Sequence, residues 1–154
     1  SHLALPVLRH SRARFDECEL IPFHVAARMG VASIMTAHIL VPALDPKFPA
    51  SISKSIVTGL LRNEIGYRGL ILTDDLEMKG ISDSHPPEKS ASMAISAGND
   101  AVLVCSGDLV LENRVFDSIS GAISSGELMR QQVESSISRI DEFRSRFSSS
   151  HESR

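Results

Sequence analysis

The chain has 154 residues, 42% of them hydrophobic, and a net charge of −3 at pH 7. That suffices for one core but falls short of the about 250 residues of a complete eight-fold α/β barrel. Acids and bases are interspersed, which gives no basic footprint for nucleic acid, and no apolar run approaches the roughly 18 residues of a membrane span. Neither nucleic acid nor a bilayer is therefore expected as a partner.

The spacing of Phe15, Cys18, Ile21, Val25, Ala26 and Met29 predicts a helix over 12–29, stopped by Gly30 and kinked at Pro22. Residues 31–40, Val-Ala-Ser-Ile-Met-Thr-Ala-His-Ile-Leu, read as a buried strand. A loop follows, punctuated by Pro42, Pro46 and Pro49, and a loop that long after a strand is more often functional than idle. Ser53 is placed to cap a helix that carries Ile56, Val57, Leu60, Leu61 and Ile65 on one face and closes at Gly66. A second strand comes at once and ends in Asp74 and Asp75. A short polar loop with Pro86 and Pro87 leads to a helix over 88–97 that Gly98 ends, and 101–105 is a third buried strand. Two helices follow, over 109–124 and 130–147. The tail 148–154 has nothing to bury and is expected to be disordered.

This order is repeated βα construction, with crossovers long enough for parallel pairing, and it assigns the chain to the α/β class. Three parallel strands cannot close and leave two hydrophobic edges, which stable monomers avoid. Residues 1–147 are accordingly expected to form part of a larger domain. Cys18 and Cys105 stand far apart with no CxxC spacing, so a reduced cytosolic setting is expected and both read as core residues.

The most informative stretch is 69–80, Gly-Leu-Ile-Leu-Thr-Asp-Asp-Leu-Glu-Met-Lys-Gly. Charge at the carboxyl end of a buried strand is where α/β proteins place their chemistry, and no Gly or Pro separates the apolar run from the acids. Alternation puts Leu70, Leu72 and Asp74 on one face and Ile71, Thr73 and Asp75 on the other, so one Asp alone can point into a site. A structural alternative stands beside this: Asp74 with Glu77 three residues on has capping-box spacing.

Four segments carry a resemblance: Ile-Met-Thr-Ala-His-Ile (34–39), Pro-Ala-Ser-Ile-Ser (49–53), Leu-Leu-Arg-Asn-Glu-Ile-Gly-Tyr-Arg-Gly (60–69) and Leu-Thr-Asp-Asp-Leu-Glu-Met-Lys-Gly (72–80). In order and spacing they resemble the bacterial β-N-acetylglucosaminidases of glycoside hydrolase family 3, the cytoplasmic cell-wall recycling type. The resemblance runs from Ser1 to about Phe147. It implies a (β/α)8 TIM barrel, of which these strands would be the sixth, seventh and eighth. It also implies a retaining, exo-acting hydrolase that removes N-acetylglucosamine from peptidoglycan fragments through a covalent glycosyl-Asp intermediate.

The nucleophile of that family falls on Asp74, with Asp75 as its neighbour. Met78 would lie beside the sugar, although a Met there equally suits core filling. The opening Ser1-His2-Leu3-Ala4-Leu5-Pro6 resembles the end of the family loop whose His is the general acid/base, so the resemblance assigns that role to His2. An imidazole suits it because its ordinary pKa lies near neutrality. His38, at the end of a strand, reads either as lining the sugar site or as a satisfied structural histidine.

His10, His24, His85 and His151 show no paired-ligand spacing, and neither metal nor cofactor is implied. The resemblance puts the rest of the sugar-binding residues in the first five strands, so the missing amino-terminal half of the barrel is the expected partner. The fragment alone is then expected to be inactive, and the lack of a leader sequence carries no information. Two other readings remain open: β-glucosidase-type specificity within the family, and a non-catalytic half-barrel interaction module.

Overall fold

The apolar runs become three parallel strands, β1 (Ser33–Thr36), β2 (Leu70–Asp75) and β3 (Ala101–Leu103), hydrogen-bonded in the order β1-β2-β3. The structure is a computed structural model that describes residues 4–148, without the side chain of Ser148. The expected disordered tail thus lies almost wholly outside the described residues, and so does His2.

Register shows which face of the sheet is covered. Ile34 pairs with Ile71 and Thr36 with Thr73, and all four are buried. Ile34 and Ile71 pack with Val57, Leu61 and Ala97 from the following helices and with Tyr67 from the turn before β2. Burying a side chain as large as Ile71 in this way contributes about 1.5–3 kcal/mol. Met35, paired with Leu72, is 50% exposed on the opposite face. One face is therefore packed under helices and the other is open among the described residues. Asp74 follows Leu72 on the open face by alternation. Toward β3 the ladder is irregular: Leu72 pairs with Ala101 but Asp75 with Leu103, so β2 takes three steps where β3 takes two. That is a bulge beside the two acids.

The helices differ from expectation in instructive places. No single kinked helix spans 12–29: α1 (Arg12–Arg14) runs into a π-helical turn, Phe15–Glu19, and α2 (Ile21–Arg28) starts afresh with Pro22 in its first turn. There the missing N–H of proline leaves no unmade helical bond. Of the anticipated stripe only Phe15 is buried, and Cys18 is exposed. Bonds of the π type advance more residues per turn, so a spacing read at 3.6 misplaces Cys18. Cys105 is exposed as well because β3 ends at Leu103 and leaves it in a loop. Neither cysteine is a core residue.

The helix after Ser53 is π-helical over Ser55–Glu64, and the Ser53 hydroxyl accepts the Ile56 amide at 3.2 Å as the cap. Gly66 ends it with φ +75°. Beyond β2 comes a one-turn helix, α3 (Lys79–Ser82), which the periodicity did not reveal. The chain continues through α4 (Pro87–Ala97), α5 (Leu109–Ser124) and α6 (Arg130–Ser148). Gly98 closes α4 at φ +114°, tight against Thr58. Asp108 caps α5 by accepting the Val110 amide at 2.9 Å.

Candidate active site

β2 delivers two carboxylates to its carboxyl end, and hydrogen bonding gives them different duties. Asp74 Oδ1 accepts the Asp75 amide at 2.9 Å. Asp75 Oδ1 accepts the Glu77 amide at 3.1 Å, an Asx turn that folds the chain away from the strand. Asp74 caps no helix: α3 begins at Lys79 with Met78 at its cap position. The capping alternative is thereby removed. Its second oxygen has no hydrogen-bond partner among the described residues, and the side chain is half-buried. Asp74, Asp75, Glu77, Met78 and Lys79 line an open hollow at this end of the sheet.

Glu77 has a task that spacing alone did not disclose. Its Oε2 accepts the amides of Ser106 at 2.9 Å and Cys105 at 3.1 Å, fastening the loop after β3 to the loop after β2. Those bonds, the Ser106 amide foremost, hold its carboxyl below the ordinary glutamate range against a desolvation that works the other way. Lost solvation, then the charges of Asp75, Glu77 and Asp74, pushes the Cys105 thiol up. A thiol so placed stays protonated near neutrality and makes no thiolate nucleophile.

His38 is fully buried two residues past β1. Its Nε2 lies 2.8 Å from the Asp75 carbonyl and its Nδ1 lies 2.8 Å from Ser51 Oγ. A carbonyl only accepts, so Nε2 carries a proton and donates it. In the neutral ring Nδ1 then accepts from Ser51. Both nitrogens are occupied by protein, and the ring fixes the backbone just beyond Asp74. Asn99 braces the same region from below: its Nδ2 donates to the carbonyls of Ser51 and Ala94 at 2.8 Å each, and its Oδ1 accepts from Thr36 at 3.0 Å. The proline-rich loop is stiffened by Asp45, which accepts the amides of Lys47 and Phe48 and the Ser53 hydroxyl. Its burial raises the pKa, yet these three donors outweigh it and hold the carboxyl below the aspartate range.

Structure thus brings together Asp74, Met78 and the backbone that His38 supports, while His2 lies outside the described residues. Among the described residues no cluster of three or more His, Cys, Asp or Glu side chains is arranged to hold a metal ion. Glu77, Ser51 and Asn99 were not anticipated, because each acts on groups distant in sequence. The one available signal was the acid at Glu77 itself, which also fits half of a capping box.

The known proteins that this chain is similar to share a family. Residues 1–143 match the glycosyl hydrolase family 3 N-terminal domain. Over 115 residues the chain is 41% identical to a beta-hexosaminidase of Neisseria meningitidis serogroup C / serotype 2a, covering 74% of this chain and 32% of that protein. Over 160 residues it is 33% identical to beta-hexosaminidase A of Pseudoalteromonas piscicida, covering 91% and 26%. It superposes with a TM-score of 0.92 and 39% identity on a glycoside hydrolase family 3 beta-N-acetylglucosaminidase from Paenibacillus sp. str. FPU-7, covering 95% of this chain and 28% of that one. The chain spans about a third or less of the length of these relatives. A parallel sheet with one covered and one open face suits a sector of a TIM-type barrel. The chain belongs to glycosyl hydrolase family 3 and forms part of its N-terminal, TIM-barrel-type domain.

Proposed function

We propose that this chain supplies the nucleophile-bearing part of a retaining, exo-acting β-N-acetylglucosaminidase, with Asp74 as the nucleophile. The observation that carries the reading is the free oxygen of Asp74: a half-buried carboxylate on a rigid strand end, on the open face, with one lone-pair site used and the rest available. The names borne by the relatives support the sugar class. In this reading the Asp74 carboxylate attacks the anomeric carbon as the glycosidic C–O bond breaks, and His2 gives its proton to the leaving oxygen. Water then displaces the carboxylate with net retention and returns a proton to His2.

Met78, on the wall of the same hollow, packs against the sugar. His38 acts one step back, holding the Asp75 carbonyl so that Asp74 keeps its aim. The three strands are the sixth to eighth of the barrel, and the remaining sugar contacts come from the other half. The substrates are N-acetylglucosamine-terminated peptidoglycan fragments, met in the cytoplasm. By itself the 154-residue chain then lacks turnover.

The test is covalent trapping. A full-length protein carrying this segment is incubated with a 2-deoxy-2-fluoro or 5-fluoro glycosyl donor and digested for peptide mapping. The expected adduct sits on Asp74; a label on Asp75, or on no carboxylate of the 72–80 peptide, overturns the assignment. Turnover of an aryl β-N-acetylglucosaminide by the isolated chain, unchanged by Asp74→Ala, would refute the claim that the rest of the barrel is required.

A further inference from the structure

At the opposite end of the sheet, where β1 and β2 begin, lies a cavity of about 200 Å³ between the strand-entry turns and α6. The sequence around it, 60–69, is among the segments that carry the family resemblance, yet the chemistry at Asp74 makes no use of it. Arg68, Arg139 and Arg146 line the cavity together with Glu142 and Tyr67. Behind the wall, Asp100 is fully buried and takes Arg62 at 2.5 Å on one oxygen and Arg139 at 2.8 Å on the other. Arg68 and Arg146 have no ion-pair partner among the described residues. Four guanidinium groups thus meet two carboxylates, Asp100 and Glu142, and these six side chains together carry an excess of two positive charges.

The floor is rigid. Tyr67 donates its hydroxyl to the Val31 carbonyl at 3.0 Å, and the Arg62 guanidinium lies 5.7 Å over its ring. Gly69 admits that ring, since a Cβ there would collide with the Tyr67 hydroxyl. Burial, and the neighbouring charge of Arg139, lower the pKa of Arg62, as expected of a cluster with more cations than Asp100 alone can balance.

We infer that this cavity binds a divalent oxyanion of the phosphate class, held by the forks of Arg68, Arg139 and Arg146. Charge and size agree. Hydrogen phosphate near neutrality carries close to the two charges needed, guanidinium forks match its oxygens, and the cavity is large enough for a phosphoryl group.

The experiment is calorimetric titration of inorganic phosphate into the protein carrying this segment, in chloride buffer at constant ionic strength and mildly alkaline pH. Sulfate and succinate serve as parallel titrants. The expected result is saturable phosphate binding, competition by sulfate, and at least tenfold weakening in the Arg68→Gln/Arg146→Gln variant. Both substituted side chains are exposed, so the fold should persist. Thermal unfolding gives a second readout: phosphate should raise Tm in the wild type and not in the variant. No binding, binding equal in wild type and variant, or tighter binding of succinate than of phosphate overturns the inference. Asp74→Asn should leave phosphate binding unchanged, so this outcome is independent of the glycosidase reading.

Discussion

Asp74, near the carboxyl end of β2, and Asp100, immediately before β3, have opposite fates. Asp100 has its side chain out of solvent and all its capacity used: Oδ1 accepts Ser136 and Arg139, Oδ2 accepts Arg62 and the Ile71 amide. Asp74, one residue from the end of β2, accepts a single hydrogen bond, from the next amide. A carboxylate saturated by four donors has no lone pair to offer a substrate and serves the fold. One left under-coordinated on an open face is available for chemistry. Number of donors, more than burial or residue type, separates the two roles.

Five substitutions break or sharpen this contrast. The largest effect is expected for Asp74→Asn in a full-length protein: hydrolysis of an aryl β-N-acetylglucosaminide should fall by at least about a thousandfold, because an amide forms no glycosyl ester. Its urea midpoint should hardly move. Asp75→Asn, which keeps the oxygen that accepts Glu77, should cost far less activity. At the other end the pattern reverses. Asp100→Ala strands two guanidinium groups that are mostly buried and should destabilise the protein by about 3–5 kcal/mol in chemical denaturation.

Smaller still is Gly69→Ala, where the new Cβ would also lie 2.9 Å from the Ala32 carbonyl. Overpacking of that kind costs about 1–3 kcal/mol. Smallest is Asp45→Asn, at about 1 kcal/mol near neutral pH. Because the folded state depresses the Asp45 pKa, its contribution is present above the ordinary aspartate value of about 3.9 and is lost as pH falls through the lower folded value. The stability gap between wild type and Asp45→Asn should therefore close in acid; a gap that widens there would contradict the arrangement described.

Much of the scaffold was legible because helices and strands declare themselves through periodicity and glycine stops. The span of α5 agrees with the pattern, and α4 and α6 differ from it by a single residue at one end. The first helix was not legible, since a π-helical turn defeats a period of 3.6 and Pro22 begins a helix where it was expected to bend one. The acids at 74 and 75 were visible as charge closing an apolar run, but their division of labour needed hydrogen bonds. The Asp100 cluster was invisible for a further reason. Gly98-Asn99-Asp100 looks like an ordinary solvated turn, and its partners Arg62 and Arg139 stand 38 and 39 residues away, beyond any spacing rule.

The bulge in β2 makes the choice between the two acids a question of counting. Strand side chains alternate with a period of two, so deleting one residue at 73–74 would restore an unbroken ladder with β3 and exchange the faces of the residues beyond the deletion. Such a variant would gain regular pairing and put Asp75, the acid that now holds the Glu77 amide, on the open face in place of Asp74. For this strand, the sheet with the better ladder and the sheet that presents Asp74 on its open face are different molecules.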